Sequence, residues 1–372
     1  PDYSFGFVRV TGKTGYKTYK GKGTFTDTID LSFKGLRGFG TLDYLNAKSI
    51  SNPKGFTFFP DSTNGLAINF TIKQQSAAQG TESPSVKGED IKIHWEPYEN
   101  RLMAAETGKV FKMYGDTTTL AGGLIYGPNG LGGWGKYTFS EAIITSQKFE
   151  FKEKIVNADS ADFDLKTQGG ALDEMAFKTK NVKANIDFTT QKANFTSNDK
   201  LSLVQLPKNM YVCYLTKFTW DMKTKQIALG DPKDMNTDKR DLHFYSVHPK
   251  QDTLNFESPY ATYDLKNHII GAYKVPYIDI ADSRIIPNKD SIITVKKEAF
   301  MDTIRNAKLI ANRDNKYHTI YDATFFVKGR NNFAGHGMYD FIDENKTKHP
   351  LPLTRIRVDS AQHVYGKGKL EQ

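Results

Sequence analysis

The chain has 372 residues, 51 Lys/Arg against 42 Asp/Glu for a formal net charge of +9, and a single cysteine. Apolar residues at 38%, with 30 glycines besides, exclude disorder of the whole, and the length allows one large core or two smaller ones. One cysteine excludes an internal disulfide, and no apolar run nears the ~18 residues that a membrane-spanning helix requires.

The excess charge sits at the two ends. Residues 1–60 hold nine Lys/Arg against four Asp, residues 346–372 hold six Lys/Arg against two acids, and the middle is neutral. A chain that tracks nucleic acid carries a basic stripe through its body, so no nucleic-acid partner is expected; basic ends suit an anionic glycolipid, an acidic protein or a neighbouring domain. The densest basic and aromatic cluster comes first, in Lys13, Tyr16, Lys17, Tyr19, Lys20 and Lys22. On a hairpin these residues form a candidate site for a phosphate-bearing glycolipid or another polyanion, because aromatics stack and lysines neutralise. Lysines that guard a sheet edge against aggregation are the plainer reading.

Alternation of period two then dominates. Phe25, Ile29, Leu31 and Phe33 are expected on one face of a strand, as are Ile91, Ile93 and Trp95, then Val182, Ala184, Ile186 and Phe188, and then Phe218, Trp220 and Met222. A weak repeat pairs Ala47 with Ser51, Ala142 with Ser146 and Ala193 with Ser197, each followed by a second strand. Asp-Ser pairs at 61–62, 159–160, 282–283, 290–291 and 359–360 read as turns. Loops are expected at Gln74–Glu89 and Thr167–Glu174. The polar stretch 231–241 reads as a long loop or as the junction between two β-rich domains, 1–230 and 242–372. Helical patterns are confined to about two turns at Glu298–Asn306 and one at Asp173–Phe177. The expected fold is therefore all-β, of elongated stacked sheets in β-solenoid or β-sandwich-like units, with very few helices. Neither end carries a signal or capping pattern, so an excerpt of a longer chain is expected.

Catalytic motifs fail one by one. Gly130 to Gly135 matches G-x-G-x-x-G, but the continuation Lys136-Tyr137-Thr138-Phe139 is strand-like. The motif needs a helix whose N-terminus holds a pyrophosphate, so a glycine-rich turn between strands is expected and no cofactor. The eight histidines (94, 243, 248, 268, 318, 336, 349 and 363) form no tight ligand spacing, although His243 and His248 could meet across a turn. Cys213 lies in the apolar run Met210–Leu215 and reads as a small buried hydrophobe. No catalytic and no metal-ligating residue is assigned.

Phe56-Thr57-Phe58-Phe59-Pro60-Asp61-Ser62, Ile278 to Pro287 and Asn315 to Ala323 resemble segments of large β-rich cell-envelope proteins of the Bacteroidota. Tyr260 to Leu265, with Ile269, Ile270 and Ala272, resembles the strand units of periplasmic proteins that handle lipopolysaccharide. The resemblance implies the periplasm or surface of a Gram-negative bacterium and carries over no catalytic residue. The resulting expectation is a non-enzymatic structural or interaction protein that binds another envelope protein or glycolipid through sheet surfaces. A polysaccharide-binding or polysaccharide-cleaving β-helix, with its acids on adjacent strands, and a periplasmic lipid carrier with an apolar trough are the alternatives.

Overall fold

The computed structural model describes residues 9–167, 174–316 and 318–369, and of residues 9–14 it describes the backbone alone. The expected all-β fold is what forms. Antiparallel strands, 31 among the described residues, join into one hydrogen-bonded sheet, and the helical content is a handful of short 3-10 turns. The chain divides into two compact units, residues 1–163 with 183–190 and residues 164–182 with 191–372.

The first unit begins with β1 (Arg9–Thr18), β2 (Gly23–Ser32), β3 (Gly35–Tyr44), β4 (Ala47–Ser51), β5 (Phe56–Phe58) and β6 (Thr63–Ile72). It continues with β7 (Val86–Glu96), β8 (Arg101–Ala105), β9 (Phe111–Met113), β10 (Thr118–Gly127), β11 (Gly130–Phe139), β12 (Ala142–Phe151) and β13 (Ile155–Lys166). Neighbours in sequence pair in turn, which is a meander, except that two places are each filled by a pair of short strands. Both β4 and β5 lie between β3 and β6, and both β8 and β9 lie between β7 and β10. The first interruption contains Pro53, which has no N–H to give, and Gly55 at φ +71°. A side chain at Gly55 would meet the Gly38 carbonyl at 2.7 Å.

The alternation fills this unit's core. Phe25, Leu42, Phe70, Ile91, Ile93, Trp95, Leu120, Tyr137 and Phe149 are all buried. The series begun by Phe25 fades along β2: Ile29 is half-buried, Leu31 is exposed and Phe33, in the following turn, is 71% exposed. The same inward face thus runs out from the core into solvent, and that end matters for the site below.

The second unit forms two antiparallel ladders, and the chain lays down hairpins in them by turns. Ser202–Leu206 and Tyr211–Leu215 pair in the first, Lys217–Asp221 and Gln226–Leu229 in the second, Leu242–Ser246 and Asn255–Ser258 in the first, Tyr260–Asp264 and Ile269–Tyr273 in the second. The ladder bonds link each hairpin to the next but one, as in Tyr211 with Ser246 and Gln226 with Asp264. The ladders face each other across a shared core. Phe177, in the strand that flanks the first ladder, packs 4.9 Å from Phe218 in the second, and the Tyr263 hydroxyl donates to the Ala176 carbonyl at 3.3 Å. Buried Asn209, from the first, donates to the carbonyls of His268 (2.7 Å) and Val295 (3.2 Å) in the second.

Several local expectations need correction. Glu298–Asn306 is not a helix: Lys297–Ala299 is a 3-10 turn with Glu298 at φ 54°, and Ile304–Ala311 is a strand whose Ile304, Ala307 and Leu309 point inward. Two partner strands, Ser283–Ile286 and His318–Gly329, supply its backbone bonds and override a weak helical pattern. Asp173 lies outside the described residues, as does most of the loop expected at Thr167–Glu174, and Met175–Phe177 opens a strand. The loop expected at Gln74–Glu89 ends earlier, because β7 starts at Val86. Asp159-Ser160 lies inside β13 rather than at a turn. The stretch 231–241 is a loop of the second unit, with a 3-10 turn at Pro232–Asn236 capped by the Asp231 side chain.

Candidate functional site

Five residues of the basic and aromatic cluster have described side chains; Lys13 stands in β1 and its side chain lies outside the described residues. The structure separates the cluster by chemistry. Tyr16 and Tyr19 turn toward the apolar interior, whereas Lys17, Lys20 and Lys22 stay exposed. Tyr19 packs edge-on against buried Trp95 (ring centroids 5.2 Å apart) and against Tyr98 (6.0 Å), and its hydroxyl sits 2.9 Å from the Phe59 carbonyl and 2.8 Å from the Thr63 hydroxyl. Burial holds this phenol above its usual pKa despite its hydrogen bonds with Thr63 and Phe59. Stacking bases on an exposed tyrosine is therefore not what Tyr19 does.

The two tyrosines instead line an apolar trough of about 490 Å³. Its walls are Tyr16, Thr18 and Tyr19 at the end of β1, Ile29 of β2, Leu36 of β3, Phe58 of β5, Phe59 and Pro60 in the next turn, and Tyr98 in the turn after β7. This is the place where the inward face of β2 runs into solvent. Leu36 is 37% exposed and Phe59 46%, a contiguous apolar surface that water would cover at a cost. Lys17 also lines the trough, and among the described residues neither Lys17 nor Lys20 has an anionic partner. The third, Lys22, donates to the Asn100 side chain at 3.0 Å. The hydroxyls of Tyr16 and Thr18, both on wall residues, are buried with no partner among the described residues. A buried hydroxyl left unpaired costs about 1–3 kcal/mol. The trough thus combines an apolar floor with Lys17 at its wall and Lys20 next to Tyr19, neither paired with an anion among the described residues.

A larger groove of about 870 Å³ lies against the glycine-rich hairpin. Sequence reasoning assigned Gly130–Gly135 to a turn, and this is a second correction. The turn is Pro128-Asn129, and the glycines stand within β10 and β11 themselves. Gly122 and Gly135 are paired at φ +152° and +121°, and a side chain on either would lie 2.1 Å from a carbonyl oxygen across the pair. They allow the strands to approach at an irregularity in the β11–β12 register. Gly132 has another role: it lies in register between Ile125 and Glu150 on the outer face, where a Cβ would meet the Phe149 carbonyl at 3.2 Å but no backbone atom closer. Trp134 covers Gly123, its indole occupying the volume that a side chain there would fill. Sequence reasoning missed this groove because its walls come from five separate segments.

The remaining candidates resolve into structure. Cys213 is fully buried, which pushes its thiol well above the ordinary range and away from nucleophilic chemistry. His243 pairs with Glu257 at 3.2 Å while His248 accepts from the Lys250 amide, so each has its own partner. Among the described residues no three His, Cys, Asp or Glu side chains gather to hold a metal ion. On the outer face of the first ladder, Arg284 forks onto Asp279 at 2.7 and 3.0 Å and stacks 3.6 Å over Tyr277, and Arg313 joins Asp279 at 3.2 Å. Burial raises the Asp279 carboxyl, but the hydrogen bonds and charge of Arg284 and Arg313 outweigh it and hold it below the usual range. Two guanidinium groups thus share one carboxylate, and the group keeps a net positive charge.

In comparisons with known proteins, no family model and no curated protein matches the chain.

Proposed function

We propose that this chain is a non-enzymatic binding module of the bacterial cell envelope that holds an anionic amphiphile, of the glycolipid class, in the trough of its first unit. One observation carries the reading: an apolar trough opens beside Lys17, which lines it, and Lys20, which follows the wall residue Tyr19, and among the described residues neither lysine has an anionic partner. An acyl chain gains ~0.8 kcal/mol per buried methylene, and an acidic head group at Lys17 and Lys20 gains a further interaction that weakens with salt. The placement at the envelope rests on the resemblance of Phe56–Ser62 and the other quoted segments, and on the glycolipid character of the ligand.

The test uses the whole chain and a fluorescent anthroyloxy fatty acid, displaced by purified lipid A. Saturable probe binding that lipid A reverses supports the reading. Leu36→Asp wets the partly exposed trough wall without entering the core, and it is expected to weaken the probe by about tenfold, the equivalent of losing roughly two buried methylenes. A wild-type chain that binds no probe, or a Leu36→Asp chain that binds it unchanged, refutes the assignment.

A further inference from the structure

The groove beside β10 and β11 has no part in holding an acyl chain, and its chemistry is of a different kind. Its floor is bare backbone at Gly132, with Ile125 on one side and Trp134 on the other. Trp134 is half-buried and lies back over Gly123, so the sheet supports one part of the indole while the rest borders the groove. Around this apolar floor stand polar side chains of every type. Among the described residues Glu99, Asn129, Gln147 and Lys148 have no side-chain partner, while Glu150 accepts from Asn157 at 2.8 Å and Arg101 is committed to Glu96 at 2.6 Å. Carboxylates are at least as many as cations, which disfavours a phosphate-rich or sulfated ligand.

A pyranose ring has the matching surface. One face is a sheet of C–H bonds, which the negative face of an indole attracts, and its edge is a ring of hydroxyls that each donate and accept. A flat glycine floor admits such a ring where any larger residue would stand in its way. We infer that this groove binds a neutral oligosaccharide, with one sugar packed against Trp134 and the hydroxyls of its neighbours bonded by Glu99, Gln147 and Lys148. The turn after β7 belongs to both cavities, Tyr98 lining the trough and Glu99 and Asn100 the groove. A ligand with both a lipid and a saccharide part could engage both, but the saccharide site stands on the groove alone.

The experiment is calorimetric titration of the whole chain with cello-, manno-, xylo- and chitohexaose. At least one is expected to bind saturably. Trp134→Ala is expected to weaken it by about tenfold. Gly132→Val fills the floor and is expected to abolish binding: its Cβ would meet the carbonyls of Phe149 at 3.2 Å and Ile125 at 3.9 Å, so the neighbouring strand must give by a few tenths of an ångström, and urea unfolding checks that the variant is folded. Leu36→Asp is expected to leave the sugar affinity unchanged, which separates failure here from failure of the trough. The inference is overturned if none of the four hexaoses binds the wild-type chain, if binding persists in both groove variants, or if an oligolysine peptide binds in their place and is lost with Gly132→Val.

Discussion

At the residue scale, burial decides what the conspicuous side chains do. Cys213 was legible as a buried hydrophobe because it alternates with Tyr211 and Leu215 in an apolar run, and all three are buried. The tyrosines at 16 and 19 were legible as a cluster but not as the wall of a trough. Their neighbours there, Leu36, Phe58 and Tyr98, arrive from strands and turns whose pairing no local pattern encodes. His268 was one of eight scattered histidines, and the structure gives it a consequence. It is 3% exposed, with Nδ1 at 3.1 Å from the Tyr263 hydroxyl. Burial first, then the positive charges of Lys297 and Lys208, hold its pKa below 6.5, outweighing the opposite pull of Glu174 and Asp264. Between that lowered value and 6.5 the unfolded chain binds more protons than the folded one, so stability rises with pH through this window and is lost as pH falls through it. The slope from one such proton reaches at most ~1.4 kcal/mol per pH unit. Urea midpoints at pH 7.5 and 5.5 are expected to fall more for the wild type than for His268→Gln; equal falls would show that the imidazole does not contribute.

At the element scale, period-two patterning located strands well and their interruptions poorly. Ile91, Ile93 and Trp95 alternate inward as expected, because the side-chain period of a strand is local geometry. The glycines of β10 and β11 misled because glycine serves both turns and bulges, and only the partner strand distinguishes them. The serines of the weak repeat have a similar explanation. Ser51 stands at a register shift, where its hydroxyl accepts from the Gly40 amide, and Ser146, opposite Gly135, donates to the Ser160 carbonyl at 2.7 Å. A small hydroxylated residue satisfies backbone groups that the shifted ladder leaves unpaired. The two kinds of glycine predict different costs. Gly135→Ala forces a Cβ to within 2.1 Å of the Ala121 carbonyl at φ +121°, and is expected to lose about 2–4 kcal/mol of stability from clash and backbone strain. Gly132→Ala is expected to stay within ~1 kcal/mol of wild type, since no positive φ and no contact under 3 Å stands against it. Urea unfolding of the two variants checks the contrast, and equal losses would contradict the assignment of Gly135 to the bulge and Gly132 to the groove floor.

At the scale of the whole molecule, the all-β character was legible because apolar alternation recurs along most of the chain and sustained helical periodicity is lacking. The division into units was not. The second unit weaves hairpins between two ladders by bonds such as Tyr211 with Ser246, thirty-odd residues apart, and a run of polar residues such as 231–241 says nothing about which ladder comes next. The lysines near the trough were legible as charge near the start of the chain, and their lack of anionic partners among the described residues was visible only once the fold had placed the acids of the neighbouring strands. The functional account rests on that juxtaposition of unneutralised lysines and an apolar trough. The most direct measurement compares laurate with monolaurin, which share an acyl chain and differ in head-group charge, by titration into the wild-type chain and into the Lys17→Glu/Lys20→Glu variant at low and high salt. The account predicts that laurate binds about tenfold more tightly at low salt, that salt narrows the difference, and that the double variant erases it. Equal affinity for the two in the wild-type chain, or no binding of either, would contradict it.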